Sequence, residues 1–308
     1  MKTVINRTHI EGWLYDHKLQ ARVTGENSKA PGTPFITGTV SIATDNDITN
    51  IVDVHFTYVT ATTAKGSPNG NFNILKNIID GKYGMVMTVG KDNAVKVRCD
   101  SAIGLNDFYV NRDGVETLVS AKRNEGGFIH TSDSIADDEK TRNTFECDMI
   151  ITSVRRVEGD PERGTSDKVI VKGATFDFRK SLLPVEFSAV NPNAMDYFEN
   201  LGATNKEPVF TKVWGRQISA VTTRKIEEES AFGEVRVREV QSNHKDWVIT
   251  GAAREPYLWD DESSITIAEL SKAMTDRDVY LATVKQRRDE YLASQGKSTA
   301  TNTTEFKF

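Results

Sequence analysis

Phe35-Ile-Thr-Gly-Thr-Val-Ser-Ile-Ala43 alternates without a break: Ile36, Gly38, Val40 and Ile42 fall on one face, and Phe35, Thr37, Thr39 and Ser41 fall on the other. Successive side chains of a strand point to opposite sides, so the stretch reads as a β-strand with one apolar face. Residues 45–50 make a turn, and 51–60 alternate again, with Val52, Val54, Phe56 and Tyr58 on one side. The two runs form a hairpin. Upstream, 10–19 reads as a strand, followed by the Gly- and Pro-rich loop 25–34. Downstream, Asn71 or Asn73 caps a short helix through Asp80. Its apolar residues are Ile74, Leu75, Ile78 and Ile79, and Gly81 stops it. Four further strands are expected at 95–101, 108–111, 116–123 and 127–130.

The order then repeats. After a polar, charged linker at 132–143 come strands at 145–157, 167–178 and 183–190, and a short helix opened by Asn191-Pro192 and closed by Leu201-Gly202. Long strands at 209–224 and 235–242 flank a charged turn, and 247–252 closes the unit. The expected organisation is a first β module at 1–131, the linker, a second β module at 144–258, a C-terminal helix at 259–293 and a disordered tail at 294–308. The helix is announced by the capping box Thr266-Ile-Ala-Glu269.

Composition narrows the function. The chain has 308 residues and 38% hydrophobic content, enough for packed cores. No run reaches the roughly 20 apolar residues of a membrane-spanning helix, and Glu11, Asp16 and His17 stand where a secretory signal would be apolar, so a soluble cytoplasmic protein is expected. Cys99 and Cys147 lack CxxC spacing and read as buried free thiols. The net charge of −5 weighs against a simple polyanion binder, and the segment from Asp260 onward, at −2, accounts for only part of it. The five histidines are scattered, no metal or cofactor motif is found, and no acid, base and nucleophile can be named together. The reading is therefore a non-enzyme with no catalytic residues, no metal and no cofactor.

The sharpest chemical pattern is Pro208-Val-Phe-Thr-Lys-Val-Trp-Gly-Arg216, which sets Phe210, Lys212, Trp214 and Arg216 on one strand face. Rings that stack bases alternate with cations that meet phosphates, as a single strand requires. Weaker groupings are Phe176 with Phe178, Lys245 with Trp247, Arg236 with Arg238, Trp13 with Tyr15, and Lys96 with Arg98, together with Lys122. The competing reading makes the rings core and the lysines snorkelling stems.

A module of about five strands with a helix between the third and fourth is the order of the OB-fold, a small β-barrel. Two such units, a helix and a loose tail resemble tandem OB-fold single-stranded-DNA-binding proteins of bacteriophages. Segments 35–43 and Asp196-Tyr-Phe-Glu-Asn-Leu-Gly202 carry the likeness. It implies a mainly β protein of two OB-like barrels that coats single-stranded DNA for replication or recombination, with no metal and no turnover. It also implies recruitment of replication proteins by a terminal aromatic tip, here Phe306 and Phe308, although Lys307 departs from an acidic tail. A homo-oligomer is left open. The alternative is a phage virion or assembly protein built from two β modules, favoured by the net negative charge and Thr-rich strands.

Overall fold

The computed structural model describes residues 4–26, 28–159, 165–228, 236–259 and 265–299, with side chains described except at 112, 220–228, 236–244 and 295–299. Two rings of strands make up the body. In the first, β1 (Asn6–His17) pairs with β3 (Pro34–Ala43), β3 with β4 (Ile51–Thr60), β4 in parallel with β6 (Val115–Ser132), β6 with β5 (Lys96–Arg112), and β5 with β1. The short β2 (Gln20–Val23) extends β3 outward. Helix α1 (Gly70–Ile79) lies between β4 and β5 and sends Leu75 and Ile78 into the core with Ile10, Val40, Phe56 and Cys99. The short α2 (Val86–Val89) follows it.

The second ring repeats this circuit. β7 (Asn143–Val157), β8 (Lys168–Phe176), β9 (Leu182–Ala189), β11 (Arg236–Ala252) and β10 (Val209–Glu228) close in that order, again with one parallel pairing, β9 to β11. Helix α3 (Pro192–Asn200) takes the place of α1, with Met195 and Phe198 buried. Each ring is a five-stranded Greek-key barrel of the OB type, so the protein is mainly β with a C-terminal helix.

The barrels meet strand to strand. β1 and β7 are antiparallel, with Asn6 opposite Cys147 and Ile10 opposite Asn143. Ile10 faces Cys99 in its own barrel as Cys147 faces Val213 in the other, so Ile10 and Cys147 hold the same place. The seam is thus an internal two-fold axis, and each barrel reaches across it alike. Lys122 of β6 bonds the carbonyl oxygen of Glu186 on β9, and Lys245 of β11 bonds Asp53 of β4 at 3.0 Å. Between them the Asn124 and Gln217 amides exchange hydrogen bonds of 2.7 and 2.8 Å. Buried amides paired on both sides avoid the cost of desolvation without a partner.

Helix α4 (Ile267–Thr299) crosses both barrels. Ala273 and Leu270 pack with Phe176, Leu182 and Phe210 of the second. Arg277 makes a buried bidentate pair with Asp107 on β5 of the first, at 2.9 and 2.6 Å. The Thr266–Glu269 capping box is formed at 3.1 and 3.2 Å, and the helix runs to Thr299, beyond the expected limit at 293.

Several boundaries differ from expectation. β5 and β6 are each one strand instead of two, because the break in alternation near Ser101 and Gly126 is a β-bulge, which inserts a residue without ending a strand. β10 and β11 likewise run through the charged stretches beside residues 229–235, which lie outside the described residues. The cap of α1 is Asn69, whose side chain accepts from the Asn71 amide at 3.2 Å, not Asn71 or Asn73. The expected linker is pinned: Ala136 donates to Glu11 at 2.8 Å, and buried Arg142 bonds Asn46 at 3.0 Å. The tail residues Phe306 and Phe308 lie outside the described residues.

Candidate nucleic-acid interface

β10 carries the expected alternation. Thr211, Val213 and Gln217 turn into the barrel, and Phe210, Lys212, Trp214 and Arg216 turn outward. Only three of the four outward residues are reachable. Phe210 is buried because Tyr257 and Trp259 close over it, with ring centres at 4.9 and 5.9 Å.

Trp214 stands opposite Gly251 on β11, at a bulge. A Cβ on Gly251 would stand 2.4 Å from Cε2 and Nε1 of the indole, so only a glycine leaves room for the ring against the sheet there. Trp214 as a whole is 39% exposed. An indole seated against a strand and still partly exposed offers a surface on which a base can stack. It lines an open cleft of about 610 Å³ with Lys140, Thr144, Glu146, Lys212, Arg216 and Thr250.

Glu146 organises the charges of this cleft. Its carboxylate accepts from Arg7 of β1 at 2.7 Å and from Lys212 at 3.2 Å. Burial pushes the Glu146 carboxyl up, but the bonds and charges of Arg7 and Lys212 outweigh that and hold it below its ordinary range. Arg216 and Lys140 carry no ion pair among the described residues, so four cations face one carboxylate. The chain as a whole is negative, which makes this a local concentration of positive charge.

Other expected site residues are placed elsewhere. Trp247 is 9% exposed and packs on Phe145 and Phe187 in the second core, and Phe176 is buried beneath α4. Neither can stack a base, because the second barrel and α4 consume their faces. Trp13 is buried, with the ammonium of Lys91 4.4 Å and the guanidinium of Arg142 5.4 Å from its ring centre. Tyr15, half-buried, is the extra residue of a bulge in β1, so it does not share a face with Trp13 as strict alternation requires.

Lys122 is an inter-barrel plug and not a phosphate contact: its ammonium lies 4.6 Å from the centre of Phe187 and 5.6 Å from that of Trp247. Burial there pulls its pKa down to about 8, against the raising influence of Asp246 and Glu186. Lys245 is exposed but tied to Asp53. Phe178 is 88% exposed, in a turn after β8 ends at Phe176, so the two phenylalanines share no face. Lys96 and Arg98 do project outward from β5, Lys96 onto the Asp133 carbonyl at 3.3 Å and Arg98 toward Asp100 at 3.3 Å. The side chains of Arg236 and Arg238 lie outside the described residues.

One outward aromatic pair breaks the alternation of β4. Strict alternation puts Tyr58 inside with Phe56. Instead β4 gains an extra residue opposite Thr37, where Gly38 on β3 takes φ +127°, and the bulge turns Tyr58 outward. Tyr58 is 51% exposed and leans on Phe35 with ring centres 4.7 Å apart. Arg22 of β2 stands beside Phe35 in the ladder. The signal available in the sequence was Gly38 within an otherwise unbroken alternation.

A family model described as YorF matches residues 5–287, so the chain belongs to the YorF family. No curated protein matches it. Among solved structures, it is similar to the wild-type single-stranded DNA binding protein from Thermus aquaticus, at 10% identity and a TM-score of 0.45, covering 82% of this chain and 93% of that one. A deletion mutant of the same protein gives 10% identity and a TM-score of 0.45, covering 85% of this chain and all of the other.

Proposed function

We propose that this protein is a non-enzymatic single-stranded-DNA-binding protein that coats the strand during phage DNA replication or recombination in the host cytoplasm. The observation that carries the reading is the partly exposed Trp214 indole, seated against Gly251 in a cleft that Lys212, Arg216 and Lys140 also line, with Arg7 bonded to its Glu146. Bases of any sequence stack on such a ring, and the cations neutralise phosphates. The Phe35–Tyr58 pair with Arg22 supplies a second platform on the β3–β4 face, the surface on which OB-folds take oligonucleotides.

Tryptophan fluorescence tests the proposal. Of the four tryptophans, Trp13 and Trp247 are buried and Trp259 is partly covered, so Trp214 is the one placed to report a stacked base. Titration with poly-thymidine should quench it, with an affinity that falls steeply with salt and a marked preference over duplex DNA. An absence of quenching and of salt-dependent binding rejects the proposal. A mass that rises with concentration in the absence of DNA then supports a virion or assembly role.

A further inference from the structure

The outward faces of the two barrels are one surface. β6, β5, β1, β7 and β10 are consecutive in a single sheet, and the β1–β7 ladder joins them across the internal two-fold axis without a gap. The cross-strand pair that carries Trp214 also exists in the first barrel. Asp100 follows Cys99 as Trp214 follows Val213, and a bulge lies just beyond each. Asp100 stands opposite Phe128 as Trp214 stands opposite Gly251. Each barrel therefore presents one exposed aromatic at the same place, from opposite strands of the pair. Phe128 is 68% exposed.

Between the two rings lie Arg98 on β5 and Arg7 on β1, both on the outward face. Asp100 and Glu146 hold the guanidinium groups of Arg98 and Arg7 at this surface. Four strand spacings of about 4.8 Å put Phe128 about 19 Å from Trp214 along the sheet.

We propose, resting on the single-strand reading above, that one DNA strand crosses the seam between the barrels, from Trp214 over Arg7 and Arg98 to Phe128. The two halves of the path meet the strand differently for a physical reason. A nucleic acid strand has a direction, and a two-fold axis reverses it, so sites related by that axis cannot make identical contacts with one strand. The aromatic moved from one member of the cross-strand pair to the other fits that requirement.

The experiment compares binding of a 20-nucleotide and a 4-nucleotide oligothymidine to the full chain. Phe128→Ala and Arg7→Ala should weaken the long oligomer by roughly fivefold or more, with Arg7→Ala also lowering the salt slope by about 0.7. Phe128→Ala should leave the short one unchanged, while Trp214→Ala weakens both. Both substituted side chains are exposed, and an unchanged melting temperature confirms that each variant folds. If Phe128→Ala and Arg7→Ala leave the long oligomer untouched while Trp214→Ala weakens it, the seam path is wrong and single-strand binding stands. If none of the three matters, both ideas fall.

Discussion

The two barrels share a circuit of strands, a helix in the same place and a bulge at the same step, yet they differ in what they present outward. Where the second barrel has Trp214 over Gly251, the first has Asp100 beside Phe128. Where the first sends Lys122 into the other core, the second sends Lys245 to a surface carboxylate. Topology follows from the inward residues, which both barrels keep apolar. Surface chemistry follows from the outward ones, which the fold leaves free to diverge.

Four measurements bear on that contrast. The largest effect is expected for Trp247→Ala, whose ring fills the second core where the first barrel has Asn124 in the seam. It should cost about 3–5 kcal/mol in urea unfolding. A loss below 1 kcal/mol would mean that the ring is not core. Next, Trp214→Ala should lower single-strand affinity by about 1–3 kcal/mol with little change in melting temperature, whereas Asp100→Ala at the matching place should cause no loss. Equal effects would erase the distinction between the barrels.

Lys122 offers a pH test. Its folded pKa, drawn down by burial to about 8, lies below that of the unfolded chain, so between about pH 8 and the ordinary lysine range the unfolded state holds more protons. The Lys122 contribution to stability should rise with pH in that window by at most about 1.4 kcal/mol per unit, and it is read as the difference between wild type and Lys122→Met, because the buried Cys99 and Cys147 thiols, whose pKa values burial pushes up, pull the opposite way in both proteins. A difference that does not grow with pH there contradicts the plug. The smallest effect is expected for Gly251→Ala, which displaces the indole from its seat. It should weaken binding by about 1 kcal/mol and shift tryptophan emission.

Much of this molecule was legible in residue order. Strict alternation at 35–43 and 209–216, Asn191-Pro192 before α3 and the Thr266–Glu269 box each led to the right element. Face assignments failed at bulges. One inserted residue exchanges the two sides of a strand, and no periodicity marks where it falls. Tyr58 turned outward and Tyr15 left the face of Trp13 for that reason.

The chain by itself determined that two similar β modules would form, because inward apolar periodicity is a local property. Only the tertiary structure decided which outward residues remain reachable. Trp13, Phe176, Phe210 and Trp247 read like Trp214 in sequence, but the linker, α4, the segment after β11 and the opposing barrel close over them. Exposure depends on what packs against a face from elsewhere in the chain, and contacts between distant segments leave no period in the sequence.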